Sequence, residues 1–440
     1  NNWPLKLNLS GPIFNDRFRF FNGTNVDYNE NFVFELKDNR HTPVWNLSNL
    51  SVFQITVSPR NLITGGFLAN YFSAPLNGLS PLDPPETTKD VTEKRSFVYV
   101  KDQFSFQNGI IAEAGYGRYR SYLKETPQGE DFLEYFPDIR AGNAFQNLRI
   151  RGNRDQIATR LLLPTKEMKF WPVKGNHQLQ LGIDAERLEH DQNIKRTGYR
   201  HHRLDGSVAT EVSFYSNGAF KRSNVTTGAF LQNIWTLKPN RLFDALVAGA
   251  GVRLDYNRKL DDSIVTPRFN ISLMPAGIGG WTRLTAGIGW IPENVNLYML
   301  TRPFDQTAIM KGFDRNGALN GVSFAHIFTI DQQKIFFPKI TNISLGLEQK
   351  LPKNLNVQLN FLRKRESNGF FFDLDQTLTK ERADKEQDPG IFPLVFQLKN
   401  GKTLTYDAAE IAVSKQLTFK NDSYDLFASY RRSSARSNAA

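Results

Sequence analysis

Side chains able to do chemistry are scarce in this chain. Only 6 histidines occur among 440 residues, and cysteine is absent. That removes thiolate nucleophiles, thiolate metal ligands and disulfides together. Two histidine pairs stand out. His190-Asp191 has the composition of a base beside an orienting carboxylate, and His201-His202 offers two imidazoles. Both lie at or in one long segment without regular alternation, so the pairs could meet. Adjacent residues of a strand point to opposite faces, so His201 and His202 cannot chelate one ion together. No second ligand set stands at useful spacing, and both pairs read as solvated loop residues. Gly249-Ala250-Gly251 and Gly287-Ile288-Gly289 are followed by no helix, so they do not cradle phosphate. Glycine there permits close packing in a curved strand. Pro84-Pro85-Glu86 reads as a stiff loop element. No catalytic, cofactor-binding or metal-ligating residue is expected, and substrate-binding residues are not readable.

A second set of polar residues is more informative because of its spacing. Gln178, Gln180, Asp184 and Glu186 alternate with Leu179, Leu181, Ile183 and Ala185 over Asn176 to Glu186. Asn356, Gln358 and Asn360 alternate with Leu355, Val357, Leu359 and Phe361. Trp3, Leu5, Leu7 and Leu9 alternate with Lys6, Asn8 and Ser10. Leu246 to Tyr256, Phe269 to Leu273, Leu284 to Trp290, Ile343 to Leu347 and Ile411 to Phe419 behave alike, bringing Arg253, Asp255 and Arg283 into the polar set. Period two is the signature of strands with two unlike faces. If the apolar face meets lipid, the polar set faces a lumen.

Short polar turns join many of these segments: Asn15-Asp16, Pro59-Arg60-Asn61, Gln107-Asn108-Gly109, Lys174-Gly175-Asn176, Lys238-Pro239-Asn240, Gly277 to Gly280, Pro352-Lys353-Asn354 and Lys420-Asn421-Asp422. Their residues supply positive or fixed φ. Eight such turns imply about sixteen strands in an up-and-down meander. The other connections are long: Asn22 to Trp45, Ala74 to Lys94, Glu125 to Arg154, Asp191 to Arg222, Pro292 to Pro338 and Glu366 to Gly401. Short turns at one end and long loops at the other is the pattern of an outer-membrane barrel. Phe104, Phe106, Phe170, Trp171, Trp235, Trp281 and Phe419 cluster beside the short turns, as an interfacial girdle would.

Composition fits the same picture. Hydrophobic residues reach only 40%, yet aromatics reach 12%, led by 35 Phe. A chain polar on average but rich in rings suits one face in lipid and one in water. No run of about 18 apolar residues exists, so no transmembrane helix is expected. The net charge of +11 is scattered rather than gathered in a basic helix, which argues against nucleic acid. It suits contact with a bilayer and with lipopolysaccharide. Soluble propellers and sandwiches use strands of about 5–6 residues, shorter than several here. The chain opens on Asn1 with no leader, as a mature or truncated form would.

Particular residues resemble a known family. Ser10-Gly11-Pro12-Ile13, Asp16-Arg17 and Phe20-Phe21 resemble the hairpin that opens the barrel of TonB-dependent receptors of the Oar-like, carboxypeptidase-regulatory type. Thr227-Gly228-Ala229-Phe230-Leu231-Gln232, Gly251-Val252-Arg253-Leu254-Asp255-Tyr256, Pro267-Arg268-Phe269 and Tyr406-Asp407-Ala408-Ala409-Glu410-Ile411 are similar to later strands of those barrels, in the same order. Ser10 stands where glycine is usual, and Ala408-Ala409 replace a usual glycine step. The family barrel has about 22 strands, so sixteen make a part of it. The resemblance implies a multi-pass barrel in the bacterial outer membrane, residues 1–440 forming one partial barrel domain without its plug and terminal strands. It also implies import of a nutrient held by extracellular loops, with a plug domain and TonB as partners. A passive porin or channel, and a surface adhesion or structural barrel, are the alternatives. An enzyme is not expected.

Overall fold

The computed structural model describes residues 2–14, 16–33, 41–170, 173–215, 218–277, 281–293, 296–330, 335–419 and 422–438. Its strands run in chain order as β1 (Asn2–Phe14), β2 (Phe18–Phe32), β3 (His41–Ser58), β4 (Asn61–Asn77), β5 (Lys89–Ser105) and β6 (Ile111–Pro127). Then come two short strands, β7 (Leu133–Tyr135) and β8 (Arg140–Ala141), followed by β9 (Gln146–Leu162), β10 (Lys166–Phe170) and β11 (Val173–Arg196). Next are β12 (Gly198–His202), β13 (Val208–Phe214), β14 (Gly218–Leu237), β15 (Phe243–Asn257), β16 (Asp262–Pro275) and β17 (Thr282–Pro292). The last are β18 (Ala308–Gly312), β19 (Ser323–Ile330), β20 (Lys339–Leu351), β21 (Leu355–Leu374), β22 (Ile391–Phe419) and β23 (Asp422–Ser437). Two short helices, α1 (Arg302–Asp305) and α2 (Gln376–Ala383), lie in connections.

The long strands form an antiparallel meander. Each pairs with the next long strand, in the order β1-β2-β3-β4-β5-β6-β9-β11-β14-β15-β16-β17-β20-β21-β22-β23. β10 continues β9 past a break and pairs with the start of β11. The wall thus has the expected sixteen crossings.

Register gives each face its chemistry. Ile183, Ala229, Leu254 and Val265 are lateral neighbours on one face, as are Leu345, Phe361 and Ala409. Many of these side chains are exposed, with Ile183 at 62% and Val265 at 58%. Exposed aliphatic side chains in such rows are what a lipid-facing belt presents and what water would penalise. The opposite face carries the polar set.

Three expectations need correction. Lys174-Gly175-Asn176 is not a turn: these residues belong to β11, and Lys174 pairs with Lys169. Phe170 pairs with Val173 instead, and Trp171, Pro172, Ile278 to Gly280, Lys420-Asn421 and Asn15 lie outside the described residues. The side chains of Phe170 and Phe419 lie outside the description too. Second, the long connections are shorter than their sequence suggested. Asn22 to Trp45 contains most of β2 and the start of β3, and Ala74 to Lys94 contains the ends of β4 and β5. Alternation fades where strands rise beyond the apolar belt, because both faces are then polar, but backbone pairing continues. On β2 and β3 the pattern is broken differently: Asn22, Thr24, Asn49 and Ser51 share a face with Leu7, Leu9 and Phe67 and satisfy one another by side-chain hydrogen bonds across the two strands. Third, the remaining connections are built rather than loose, because they pair with one another.

Pro352-Lys353-Asn354 did read correctly: Lys353 and Asn354 both take positive φ (64° and 58°), the backbone of a tight hairpin turn.

Candidate functional site

The polar face is tied by ion pairs. Lys101 on β5 and Arg160 on β9 share Glu113 on β6, at 3.1 and 2.9 Å. Arg154 on β9 meets Glu186 on β11 at 2.7 Å. Arg253 on β15 is held between Asp184 on β11 and Asp255 beside it, at 2.7 and 2.8 Å. Lys101, Glu113, Arg154, Arg160 and Asp184 border a concavity of about 860 Å³ lined also by Phe97, Tyr99, Tyr119 and Phe230. Gln180, Asp184, Glu186, Arg253 and Asp255 therefore share one face, as their spacing predicts. Arg283, Glu348 and Gln358 share a row of the same face, and Asn360 lies two residues along from Gln358.

At the end of the wall opposite the short turns, four long connections fold together. β7 pairs with β8 and with β12, β12 with β13, β13 with β18, β18 with β19, and β19 runs parallel to the start of β22. Loops that follow β6, β11, β17 and β21 thus become one sheet. Its register separates two faces. One carries Tyr135, Tyr199, His201, Phe214, Met310, Phe324, His326, Phe328, Phe392 and Phe396. Its rings touch in separate groups: Tyr135 stacks on His201 at 4.7 Å, and Phe328 meets Phe396 at 5.4 Å and Phe372 at 5.3 Å. Phe324 and Phe392 remain exposed. Arg302 of α1 lies over the rings of Phe328 and Phe372. The other face carries a charge ladder, in which Arg200 bridges Glu134 (3.1 Å) and Glu211 (2.8 Å), and Lys311 follows at 3.6 Å from Glu211. Burial alone would raise the Glu211 carboxyl, but Arg200 and Lys311 more than reverse it and hold it below its usual value. Burial pushes the His326 imidazole below its usual value.

A hydrophobic cluster roots this sheet to the wall. Leu297 and Leu300, in the turn before α1, bury against Phe220, Leu260, Phe337 and Leu398. Beside them Asp305 is fully buried, taking hydrogen bonds from Gln192 at 2.7 Å and Thr301 at 3.0 Å. α2 is capped by Asp375, which accepts from the amides of Thr377 and Leu378, and it braces β22 through Thr379, which accepts from Val395.

The histidine pairs fare differently from their sequence reading. His190 and Asp191 lie on β11, not in a loop, and alternation sends them to opposite faces. His190 faces Gln192, Phe220 and Tyr298, while Asp191 stands beside Arg151 and Lys221. The pair cannot act as base and orienting carboxylate. His201 and His202 are not both solvated: the side chain of His202 is only 10% exposed, stacks on Phe136 at 4.0 Å and meets Glu134 at 2.6 Å. Among the described residues His190 and His201 share no partner. Packing of the loop sheet, invisible in the sequence, supplies the cover. The aromatic face was missed for the same reason, although its signal exists. Phe324, His326, Phe328 and Ile330, like Phe392, Leu394, Phe396 and Leu398, alternate inside segments that read as loops.

No protein-family model matches this sequence, and no curated protein matches it. Among solved structures, the chain is similar to the outer membrane transporter YddB from Escherichia coli, with 15% identity and a TM-score of 0.65. That likeness covers 99% of this chain and 54% of the other. The ferripyoverdine receptor of the outer membrane of Pseudomonas aeruginosa matches at 12% identity and a TM-score of 0.61, over 100% and 55%. The RagAB peptide transporter matches at 9% identity and 0.61, over 99% and 51%. The chain spans about half the length of these structures. Its sixteen-strand wall, with short turns at one end and folded loops at the other, has the fold of an outer-membrane receptor and transporter β-barrel.

Proposed function

We propose that this chain is the barrel wall of a TonB-dependent outer-membrane receptor that imports a nutrient, and that cargo is first held on the aromatic face of the loop sheet. The observation that carries this reading is the co-folding of four long connections into one two-faced sheet at a single end of the wall. Backbone pairing alone accounts for a shared sheet, but not for exposed rings gathered on one of its faces. Aromatic faces with exposed rings offer area for a ligand at low entropic cost. The structural likeness to transporters and receptors supports the same role, as does the ordered set of Oar-like motifs. Thr227–Gln232 and Gly251–Tyr256, two of those motifs, lie on the neighbouring strands β14 and β15. In this reading residues 1–440 are one barrel domain, a plug of about 100–150 residues and TonB are partners, the apolar face meets the bilayer and lipopolysaccharide, and no reaction is catalysed.

The test uses cells with and without the intact protein. Each strain is given ferric chelates, oligopeptides and oligosaccharides, and depletion from the medium is followed with and without an uncoupler. Depletion that requires both the protein and the proton-motive force is the expected result. Uncoupler-insensitive depletion would make the protein a passive channel. Cell attachment without depletion would make it an adhesion barrel.

A further inference from the structure

The apolar face changes character over strands β5, β6 and β9. Near the short turns it presents Val98, Val100, Tyr116 and Ile157, all exposed. Toward the long-loop ends it presents Lys94, Arg120, Lys124, Arg149 and Arg151, also exposed. Register places these five in three consecutive rows. Thr92, Lys124 and Arg149 form one row; Lys94, Tyr122 and Arg151 form the next; Ser96, Arg120 and Asn153 form the third. Of the acidic neighbours, Asp155 pairs with Arg118 and Glu189 with Arg187, while Asp191 lies in register between Arg151 and Lys221. Among the described residues none of the five cations has a carboxylate partner. Two instead lie over rings, Lys94 above Tyr71 at 5.7 Å and Arg151 above Tyr122 at 5.9 Å. Tyr71, Lys94, Ser96, Arg120, Tyr122 and Arg151 line a concavity of about 650 Å³ on this face.

Among the described residues Asp191 is the one unpaired carboxylate in register with them, and it is flanked by Arg151 and Lys221. Five cations beside a lipid-facing belt thus keep an excess of positive charge that calls for counter-charge from outside the chain. At the height of tyrosines bordering an apolar belt, the available anions are lipid headgroups. Guanidinium forks match phosphate oxygens, and the neighbouring Ser96 and Asn153 add neutral hydrogen-bonding groups. We propose that Lys94, Arg120, Lys124, Arg149 and Arg151 form a binding site for the phosphate groups of phosphorylated lipid in the leaflet at the long-loop end of the wall. The site rests on the reading that the apolar face meets lipid.

The purified intact protein in detergent is titrated with bis-phosphorylated lipid A, with its dephosphorylated form and with inorganic phosphate, and bound lipid is counted by native mass spectrometry. The test variant is Lys94→Gln/Arg120→Gln/Arg151→Gln. The control, Lys380→Gln/Arg382→Gln/Lys385→Gln, removes equal charge at α2. Affinity for bis-phosphorylated lipid A is expected to fall at least about tenfold in the test variant, which is about 1.4 kcal/mol, and to hold in the control. Arg120→Lys/Arg151→Lys, which keeps the charge, is expected to retain most of the binding and covers the case in which the triple variant does not fold. Equal binding by wild type and the test variant overturns the proposal. So does full competition by millimolar inorganic phosphate, which would make the band a plain anion site. The underlying reading is checked separately. Cysteine is absent from the chain, so a single spin label at Ile183→Cys reports whether that face is reached by oxygen from lipid or by a water-soluble relaxer. Access by the relaxer would defeat the facing assignment rather than the phosphate site alone.

Discussion

Arg253 reaches from β15 across the whole width of β14 to grip Asp184 on β11, with two hydrogen bonds of 2.7 and 3.0 Å. It passes over Gly228, which lies in register with both Asp184 and Asp255. A Cβ at position 228 would collide with the guanidinium, so the glycine is what lets one arginine tie β15 to β11 across β14. Asp255 is 3% exposed, and its charge has no other neutralising partner in the described contacts.

Arg253→Met should therefore destabilise the wall by about 3 kcal/mol, because two carboxylates are left without their cation. Gly228→Val should act in the same direction by displacing the guanidinium. Since both break one contact, the double variant should fall well short of the sum. Urea unfolding followed by tryptophan fluorescence, together with heat-dependent gel mobility, checks this. Full additivity would mean that Gly228 and Arg253 act apart.

Leu359 and Asn360 are neighbours on β21 that belong to opposite faces, Leu359 beside Leu347 and Ile411, Asn360 beside Gly346 and Glu410. Leu359→Arg should cost about 2–4 kcal/mol if its face lies near the bilayer midplane. Asn360→Arg should be far milder, since Glu410 stands beside it. Refolding yields into vesicles at graded urea measure both. Equal tolerance would refute the assignment of faces.

His326 should make the loop sheet sensitive to acid. Burial lowers its folded pKa below the ordinary 6.5. The stability gained by keeping it neutral is present above that value and is lost as pH falls toward the folded pKa. Amide exchange in β19, corrected for intrinsic rates, should accelerate between pH 7.5 and 5, by a factor set by how far the pKa is lowered. His326→Gln should flatten that dependence, while the wall strands should show none of it.

Arg200 is the hinge of the charge ladder. Arg200→Ala leaves Glu134 and Glu211 facing each other's field and removes a cation from the ring of Phe132 at 4.5 Å. The pair is partly exposed, so the expected loss is only about 1 kcal/mol, or roughly fivefold more frequent opening. Limited proteolysis should show faster nicking within residues 128–145 and 203–207, with β11 and β14 unaffected. Unchanged nicking would remove the ladder from the account of loop order.

The sequence by itself determined the wall. Alternation such as Leu179 to Glu186 needs no partner to be read, because a strand's side chains must go up and down whatever lies beside it. Turns such as Pro352-Lys353-Asn354 are equally local, their φ angles being set by residues in place. Count, order and faces of the strands follow from those two facts. What tertiary structure alone decided lies where contacts are remote in sequence. Arg253 finds Asp184 from 69 residues away, and Gln192 finds Asp305 from 113. His190-Asp191 looked like a pair and was split by the strand that holds it, while His202 looked solvated and was roofed by Phe136. The aromatic sheet arose from four separate connections, in which alternation such as Phe324 to Ile330 is present but does not say what each strand pairs with. Such strands exist only because backbone groups left unpaired by one loop are satisfied by another, and no local pattern encodes which loop that will be.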